Sequence, residues 1–276
     1  MLHSYFTIAL RNMARHKLFT VLNAFGLAMG MSVSLLLISF YSFVSSFDDF
    51  HTKKENTYRV ITNHEQGLDK ADYASAPAAL AKKLQNGYTG VRGIVRINST
   101  FKGEVVSEKL NLPFHGYYAD ADFFSVFDFQ LLQGNAHTAL TKPHTLVLTE
   151  TLAKKIRLSG DLLGHTLEVD GIGTFEVTGI MKDEARTHFM FEALISFATL
   201  PPSIRGEESD PDQWTSFEDQ YLYILTDESS DKIKLQQSLD RIATEVNSQS
   251  KDARVAFSLQ PLGEITPGPD LENSIG

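Results

Sequence analysis

LFTVLNAFGLAMGMSVSLLLISFYSFVSSF, residues 18–47, decides the architecture of this chain. The stretch holds no Asp, Glu, Lys or Arg, and it has no Pro. A helix needs roughly 20 mostly apolar residues to cross the hydrocarbon core of a bilayer. This run exceeds that, so it predicts one transmembrane helix with length to spare. The rival reading is a cleavable signal peptide, with Val44-Ser45-Ser46 as its small-residue cleavage site. A signal core is about 7–15 residues long. The apolar run here is about twice that, which favours a retained anchor.

Working outward, the two flanks differ in charge. Arg11, Arg15 and Lys17 precede the span with no acid among them, whereas Asp48 and Asp49 follow it. Net charge is −9 overall, so with +3 before the span the remainder carries −12 (−9 minus +3). Positive flanks stay cytoplasmic. The N-terminus is therefore expected inside and the main domain, 48–276, outside. An acidic domain without clustered Lys and Arg argues against nucleic acid as a partner. The absence of Cys excludes disulfides, thiolate metal sites and Cys nucleophiles.

Residues 1–17 place Leu2, Phe6, Ala9, Leu10 and Met13 at helical spacing, with Arg11 and Arg15 on another face. This predicts an amphipathic helix along the cytoplasmic membrane surface, its basic residues near anionic lipid headgroups. Within the span, Gly26, Gly30 and Ser34 fall four apart, a spacing at which small residues let another helix approach closely.

Beyond the span, 47–56 reads as a polar continuation of the helix before a turn. Strands are expected at 57–62, 112–119, 146–148, 166–169, 174–180, 193–197, 221–225 and 255–259. A hairpin is expected from 94–101 and 104–107 around Lys102-Gly103, and another around Asp170-Gly171-Ile172-Gly173. Helices are expected at 77–85, 149–156 and 231–247, with a short aromatic one at 123–127 capped by Asp122. The residues alone therefore describe an α+β fold: one transmembrane helix followed by a mixed α/β domain large enough for a real core.

Motifs for chemistry are sparse. There is no GxxxxGK[ST], no HExxH and no GxSxG. His137 and His144 are close in sequence, but no acid accompanies them at ligand spacing. Asp183, Glu184 and His188 sit together, a juxtaposition that general acid–base work would need and that a polar turn supplies more often. Tyr117, Tyr118, Phe123, Phe124, Phe127 and Phe129 read as core before pocket lining. No catalytic residue, cofactor or metal is assigned.

An ordered series of stretches resembles the permease subunits of MacB/FtsX-type ABC transporters. FTIALRNMARHKLFT (6–20) is similar to the family's opening ALRNLxRxKxxT, and NAFGLAMG (23–30) to its NIxGLAxG. DDFH (48–51) and YRV (58–60) resemble YDxFH…IYRV. YADADFFSVFDF (118–129) resembles VDxxFFxVFxF, and LLQG (131–134), VLTE (147–150), LGHTL (163–167), VTGI (177–180) and SLQPL (258–262) continue in family order.

The resemblance implies a MacB-like periplasmic core domain over 48–276, with an inserted mostly-β part at about 140–210. It implies a bacterial inner-membrane location, pairing with a second permease copy, and docking on a separate cytoplasmic ABC ATPase. The subunit itself would be non-catalytic, coupling ATP hydrolysis to periplasmic movements that extrude or release a substrate. Three more transmembrane helices are expected after the equivalent of 260–262, so the chain is expected to be C-terminally incomplete. A single-pass anchor displaying a ligand-binding or sensing domain is the alternative that the residues also fit.

Overall fold

The computed structural model describes every residue except 1, 68, 88–89, 108–109, 157–161, 209–213, 215–216, 228–231, 250–252 and 276. The chain divides into two compact units, residues 1–46 and residues 47–276.

The first unit is helical. α1 (Leu2–Arg15) and α2 (Lys17–Val44) are separated at His16, whose φ of −114° and ψ of 57° leave the helical region. The break frees the Met13 carbonyl, and Thr20 Oγ1, 3.1 Å from Met13 O and 3.0 Å from His16 O, shares its one hydrogen between them. α2 is 28 residues long, about 42 Å at 1.5 Å per residue, and passes by length and composition as a membrane span. Its hydroxyls are satisfied within the helix: Ser32 donates to Ala28 O and Ser34 to Gly30 O. An unpaired hydroxyl in hydrocarbon costs several kcal/mol, so such back-bonding suits an apolar setting.

The second unit is built on one mixed sheet. Its strands are β1 (Thr57–Gln66), β2 (Asp69–Tyr73), β3 (Val91–Ser107), β4 (Leu110–Ala119), β5 (Leu131–Gly134), β6 (Thr145–Thr149), β7 (Thr166–Val169), β8 (Gly173–Met181), β9 (Ala193–Ser196), β10 (Gln220–Thr226) and β11 (Ala253–Pro261). The order is β11-β1-β10-β3-β4-β9-β6-β8-β5, with β2 added to β1 and β7 bridging β3 and β8. Two pairs are parallel, β4 with β9 and β6 with β8.

Helices α3 (Ala79–Gly87) and α6 (Lys232–Gln249) place Leu80, Leu84, Leu235 and Leu239 against Val60, Leu222, Ile224 and Phe257. The other face of the sheet carries Tyr221 and Tyr223 of β10 and Val95 and Ile97 of β3. These pack against Phe123 and Val126 of the single-turn α4 (Phe123–Val126) and against Phe127 and Phe129 beyond it. β10 is therefore buried along its whole length and reads as an apolar run, YLYIL, rather than an alternation. α5 (Glu150–Ile156) covers a third cluster, setting Leu152 and Ile156 against Leu146, Leu148, Phe175 and Ile195.

Three local expectations fail. Residues 47–56 do not extend α2, which stops at Val44. Asp48, four residues past that end, adopts φ +59°, a left-handed conformation that no continuing helix holds and that Asp tolerates better than most residues. The hairpin around Lys102-Gly103 is absent, since β3 runs straight through to Ser107 and pairs with β4. Gly103 is instead a place of close approach: a Cβ there would lie 2.7 Å from Val169 Cγ1 and 2.9 Å from the Phe101 ring. Asp122 precedes α4 but makes no side-chain capping bond. The predicted start of α6 at Asp231 lies outside the described residues.

Candidate functional site

The residues that follow the apolar helix in sequence are bonded to several distant parts of the second unit. Asp48 lies four positions past Val44, and its left-handed turn aims both its backbone N–H and its carboxylate at the loop between β8 and β9. Asp48 N donates to Arg186 O at 2.9 Å. Its Oδ1 accepts from Thr187 Oγ1 at 2.7 Å, and its Oδ2 from His188 Nδ1 at 2.8 Å. On its far side, His188 Nε2 meets the Tyr223 hydroxyl of β10 at 2.8 Å. The side chains of Asp48 and His188 are 1 % and 0 % exposed, and Tyr223 is fully buried.

The same turn is tied on a second side. Asp128 N donates to His51 Nδ1 at 3.1 Å, while Asp128 Oδ2 accepts from Thr52 N at 2.6 Å and from Thr52 Oγ1 at 2.8 Å. Lys53 pairs with Asp128 at 3.4 Å and donates to Ser125 O. Phe50 packs edge-on against Phe129 with ring centres 5.1 Å apart. Residues 48–53 are thus stitched to 186–188 and to 125–129, and through His188 to β10.

Arg59 completes the polar centre from β1. It sits opposite Tyr223 and Gln260 in the strand registers and gives Nε and Nη2 to Gln260 Oε1 at 3.0 and 2.6 Å. Its side chain is fully buried, and its one hydrogen-bond partner among the described residues is a neutral amide.

The electrostatics follow from this enclosure. Burial pushes the Asp48 carboxyl up. The hydrogen bonds from His188 and Thr187, with the His51 imidazole 3.7 Å away, outweigh that and hold it below the usual carboxylate range. Burial lowers His188, and the charges of Arg59 and His51 add to that, against the opposing pull of Asp48. Burial raises Tyr223 far above its ordinary value.

The sign for stability is the same for both titrating groups. His188 resists a proton that the unfolded chain accepts, so stability is full above about pH 6.5 and declines below it. Asp48 contributes stability that is present above about pH 4 and is lost as pH falls further. Unfolding midpoints in urea are expected to fall progressively from pH 7 to pH 4. A midpoint that is flat across this range would contradict the assigned environments.

A carboxylate, an imidazole and a phenol in series have the makings of acid–base chemistry, but no substrate atom can reach a group with 0 % exposure. The two surface clefts of note, about 470 Å³ between α3 and α6 and about 380 Å³ beside Gly134 and Thr178, are lined by none of these residues. The arrangement is a joint within the second unit, tying 48–53 to 125–129 and 186–188.

The pairing of His188 with Asp183 does not form. Asp183 Oδ2 instead accepts from Thr151 N at 3.0 Å and Thr151 Oγ1 at 2.8 Å, satisfying the first turn of α5, and Glu184 pairs with Lys182 at 3.0 Å. Asp183→Ala is expected to cost about 1 kcal/mol, as loss of a helix cap does, with a small drop in thermal midpoint and no loss of function. His137 and His144 are exposed. Phe123, Phe124, Phe127, Phe129 and Tyr117 are buried in the core, and Tyr118 is half-buried. Gly26, Gly30 and Ser34 lie along α2, and Arg11, Arg15 and Lys17 at its approach, all exposed. A Cβ at Gly26 or Gly30 would meet nothing within 4 Å.

The joint was not read from sequence, although Asp48, His51, Arg59 and Gln260 all fall inside the family-like stretches 48–51, 58–60 and 258–262. The available signal was a cluster of polar residues in stretches otherwise rich in apolar ones.

Comparison with known proteins bears on most of α2 and on the second unit as far as residue 242. The MacB-like periplasmic core domain family matches residues 20–242. Among solved structures, a domain of a protein described as a permease from Porphyromonas gingivalis superposes with a TM-score of 0.62. It is 18% identical and covers 76% of this chain and 91% of its own. The periplasmic region of MacB from Actinobacillus actinomycetemcomitans superposes with a TM-score of 0.50 at 15% identity, covering 77% of this chain and 91% of its own. At these identities the likeness is one of fold. No curated protein sequence matches the chain.

Proposed function

The chain belongs to the MacB-like periplasmic core domain family, and from that premise we propose that it is a non-catalytic permease subunit of an ABC transporter. In this reading α2 is a transmembrane helix of the bacterial inner membrane, with α1 on the cytoplasmic surface and residues 47–276 in the periplasm. A separate cytoplasmic ATPase moves the helices, and the domain converts that movement into extrusion or release of a substrate. Residues 140–210 are the inserted part of the domain. Gly26, Gly30 and Ser34 pack against another helix of the assembly, which includes a second permease copy. Arg11, Arg15 and Lys17 meet anionic headgroups.

The observation that carries this reading is the pinned exit segment. Asp48, His51 and Thr52, which follow α2 in sequence, are each bonded to a distant part of the second unit, so the start of that unit is held firmly to its body. Small structural shifts are transmitted through packed, discrete contacts of this kind.

The test is co-expression of the full reading frame with neighbouring ATPase genes. Recovery of a nucleotide-binding subunit with the tagged chain, and stimulation of its ATP hydrolysis, is the expected result. Failure to recover such a subunit, with the chain intact in the membrane, counts against the proposal.

A further inference from the structure

We infer that the cleft between α3 and α6 is a binding site for a small amphiphilic anion, a carboxylate or phosphate carried on a short apolar body.

The charge of the cleft runs against the charge of the chain, which is −9 overall. Its lining includes Lys82, Lys83 and Arg241 against one acid, Glu245, which leaves +2 (three cations minus one anion). Asp240, the neighbouring acid on α6, is not part of the lining, and its Oδ1 accepts from Gln236 Nε2 at 2.9 Å. A concave surface that carries one sign of charge concentrates ions of the other.

The three cations are not equivalent. Lys83 reaches from α3 to Glu245 of α6, and the two neutralise each other. Arg241 gives Nη2 to Ser238 Oγ at 3.0 Å. Ser238 is buried and its own hydrogen goes to Lys234 O at 3.0 Å, so its oxygen is left to accept and to hold the guanidinium at the cleft wall. That bond uses a single N–H of the guanidinium, and Arg241 has no acid partner among the described residues. Lys82 has no hydrogen bond or ion pair among the described residues. An ammonium and a mostly uncommitted guanidinium thus line the same space.

The rest of the lining sets the body of the ligand. Leu84 of α3 and Ile242 of α6 add apolar surface beside the cations. An inorganic ion would leave that surface wet, whereas an amphiphilic anion covers it while its head group meets Lys82 and Arg241. The volume, about 470 Å³, falls among small-molecule pockets, which run from about 300 to 1,000 Å³. Both walls are helices packed on the sheet, so the cleft is preformed.

This inference goes beyond the transport reading and needs no ATPase. The full chain in phosphatidylcholine nanodiscs is titrated with phenylbutyrate and with its uncharged analogue phenylbutanol. Binding is followed by ligand-observed saturation-transfer NMR, with empty nanodiscs subtracted. The acid is expected to bind with a dissociation constant of about 1 mM or below, and the alcohol roughly tenfold more weakly. Lys82→Gln combined with Arg241→Gln removes both available cations at exposed positions, and is expected to bring the acid down to the affinity of the alcohol. Glu245→Gln releases Lys83 into the cleft and is expected to tighten the acid about threefold. Lys142→Gln, in the cleft beside Gly134 and Thr178, is expected to change nothing.

Equal affinity for acid and alcohol, no binding of the acid up to about 10 mM, or a preference that survives the double substitution overturns the inference. So does a hexaglutamate peptide that displaces the acid while binding more tightly than it, which would make the cleft a contact for an acidic polypeptide. If the double variant does not fold, as judged by Trp214 emission, Glu245→Gln decides, and an affinity that stays the same or falls overturns the inference equally. A failed ATPase pull-down would leave this result standing.

Discussion

Asp48→Ala is expected to destabilise residues 47–276 by about 3–5 kcal/mol, the cost of removing one partner from a buried, hydrogen-bonded polar pair. The carboxylate accepts from Thr187 Oγ1 and His188 Nδ1 at 2.7 and 2.8 Å, and both donors stay buried when it is gone. Alanine must also hold φ +59°, which disfavours a residue with a Cβ and no polar group to bond locally. For a domain of this size the thermal midpoint should fall roughly 10 °C. The chain's single tryptophan, Trp214, is buried beside α3 and α6 and reports the transition by fluorescence. Asp48→Asn keeps an acceptor and tolerates the left-handed turn, so its loss should be smaller, about 1–2 kcal/mol. Equal losses for the two variants would mean that the hydrogen bonds to Asp48 contribute little.

Phe127→Ala is expected to cost a similar amount, about 3–5 kcal/mol, for a different reason. Phe127 is 0 % exposed and touches Phe123, Phe189, Tyr223 and His51, with ring centres 5.0, 5.0, 5.1 and 5.5 Å away. Those neighbours come from four segments of chain, so they have little freedom to collapse into the space left behind. The void would also open beside the polar centre, letting water reach Tyr223 and His188. Urea unfolding should show a lower midpoint with an unchanged slope, and a loss below about 1 kcal/mol would show that the aromatic cluster repacks easily. Because Phe127 and Asp48 act on one neighbourhood, the double variant should lose less than the two single losses added.

Much of the framework was legible because its elements follow simple periods. α6 shows Leu235, Leu239 and Val246 on one face, and the β7–β8 hairpin is marked by Asp170-Gly171, with Gly171 at φ +67°. The family resemblance, carried by many weak stretches in order, pointed to the fold that the family match and the solved structures bear out. β2, DKADY, escaped notice because it is a mostly exposed ribbon without an apolar face. β5 is only four residues long, too short for a period. Gly103 misled because a glycine in a strand and a glycine in a turn look alike in sequence. The space against Val169 that requires it comes from a strand more than 60 positions away.

The joint was illegible for a stronger reason. His188 lies 140 residues from Asp48, and nothing local to Asp183 and His188 shows that they point to different partners. A left-handed turn at an aspartate also leaves no periodic trace. Polar residues inside apolar family-like stretches were the only pointer, and they say that something is buried there without saying what.

The sheet order places β1 directly against β11, with Arg59 beside Gln260, 201 positions later. The first strand to leave the ribosome therefore finds one of its two long-range partners only when the last strand exists. At synthesis rates of about 5–20 residues per second, that wait is roughly 10–40 s. Throughout it, one edge of β1 and the apolar side chains of Val60 and Ile61 stay unprotected while the N-terminal end is already emerging. Slow, non-local closure of this kind is where chains aggregate or are degraded. Yield in cells should then depend on helper proteins that shield early strands, and much less on the stability of the finished domain.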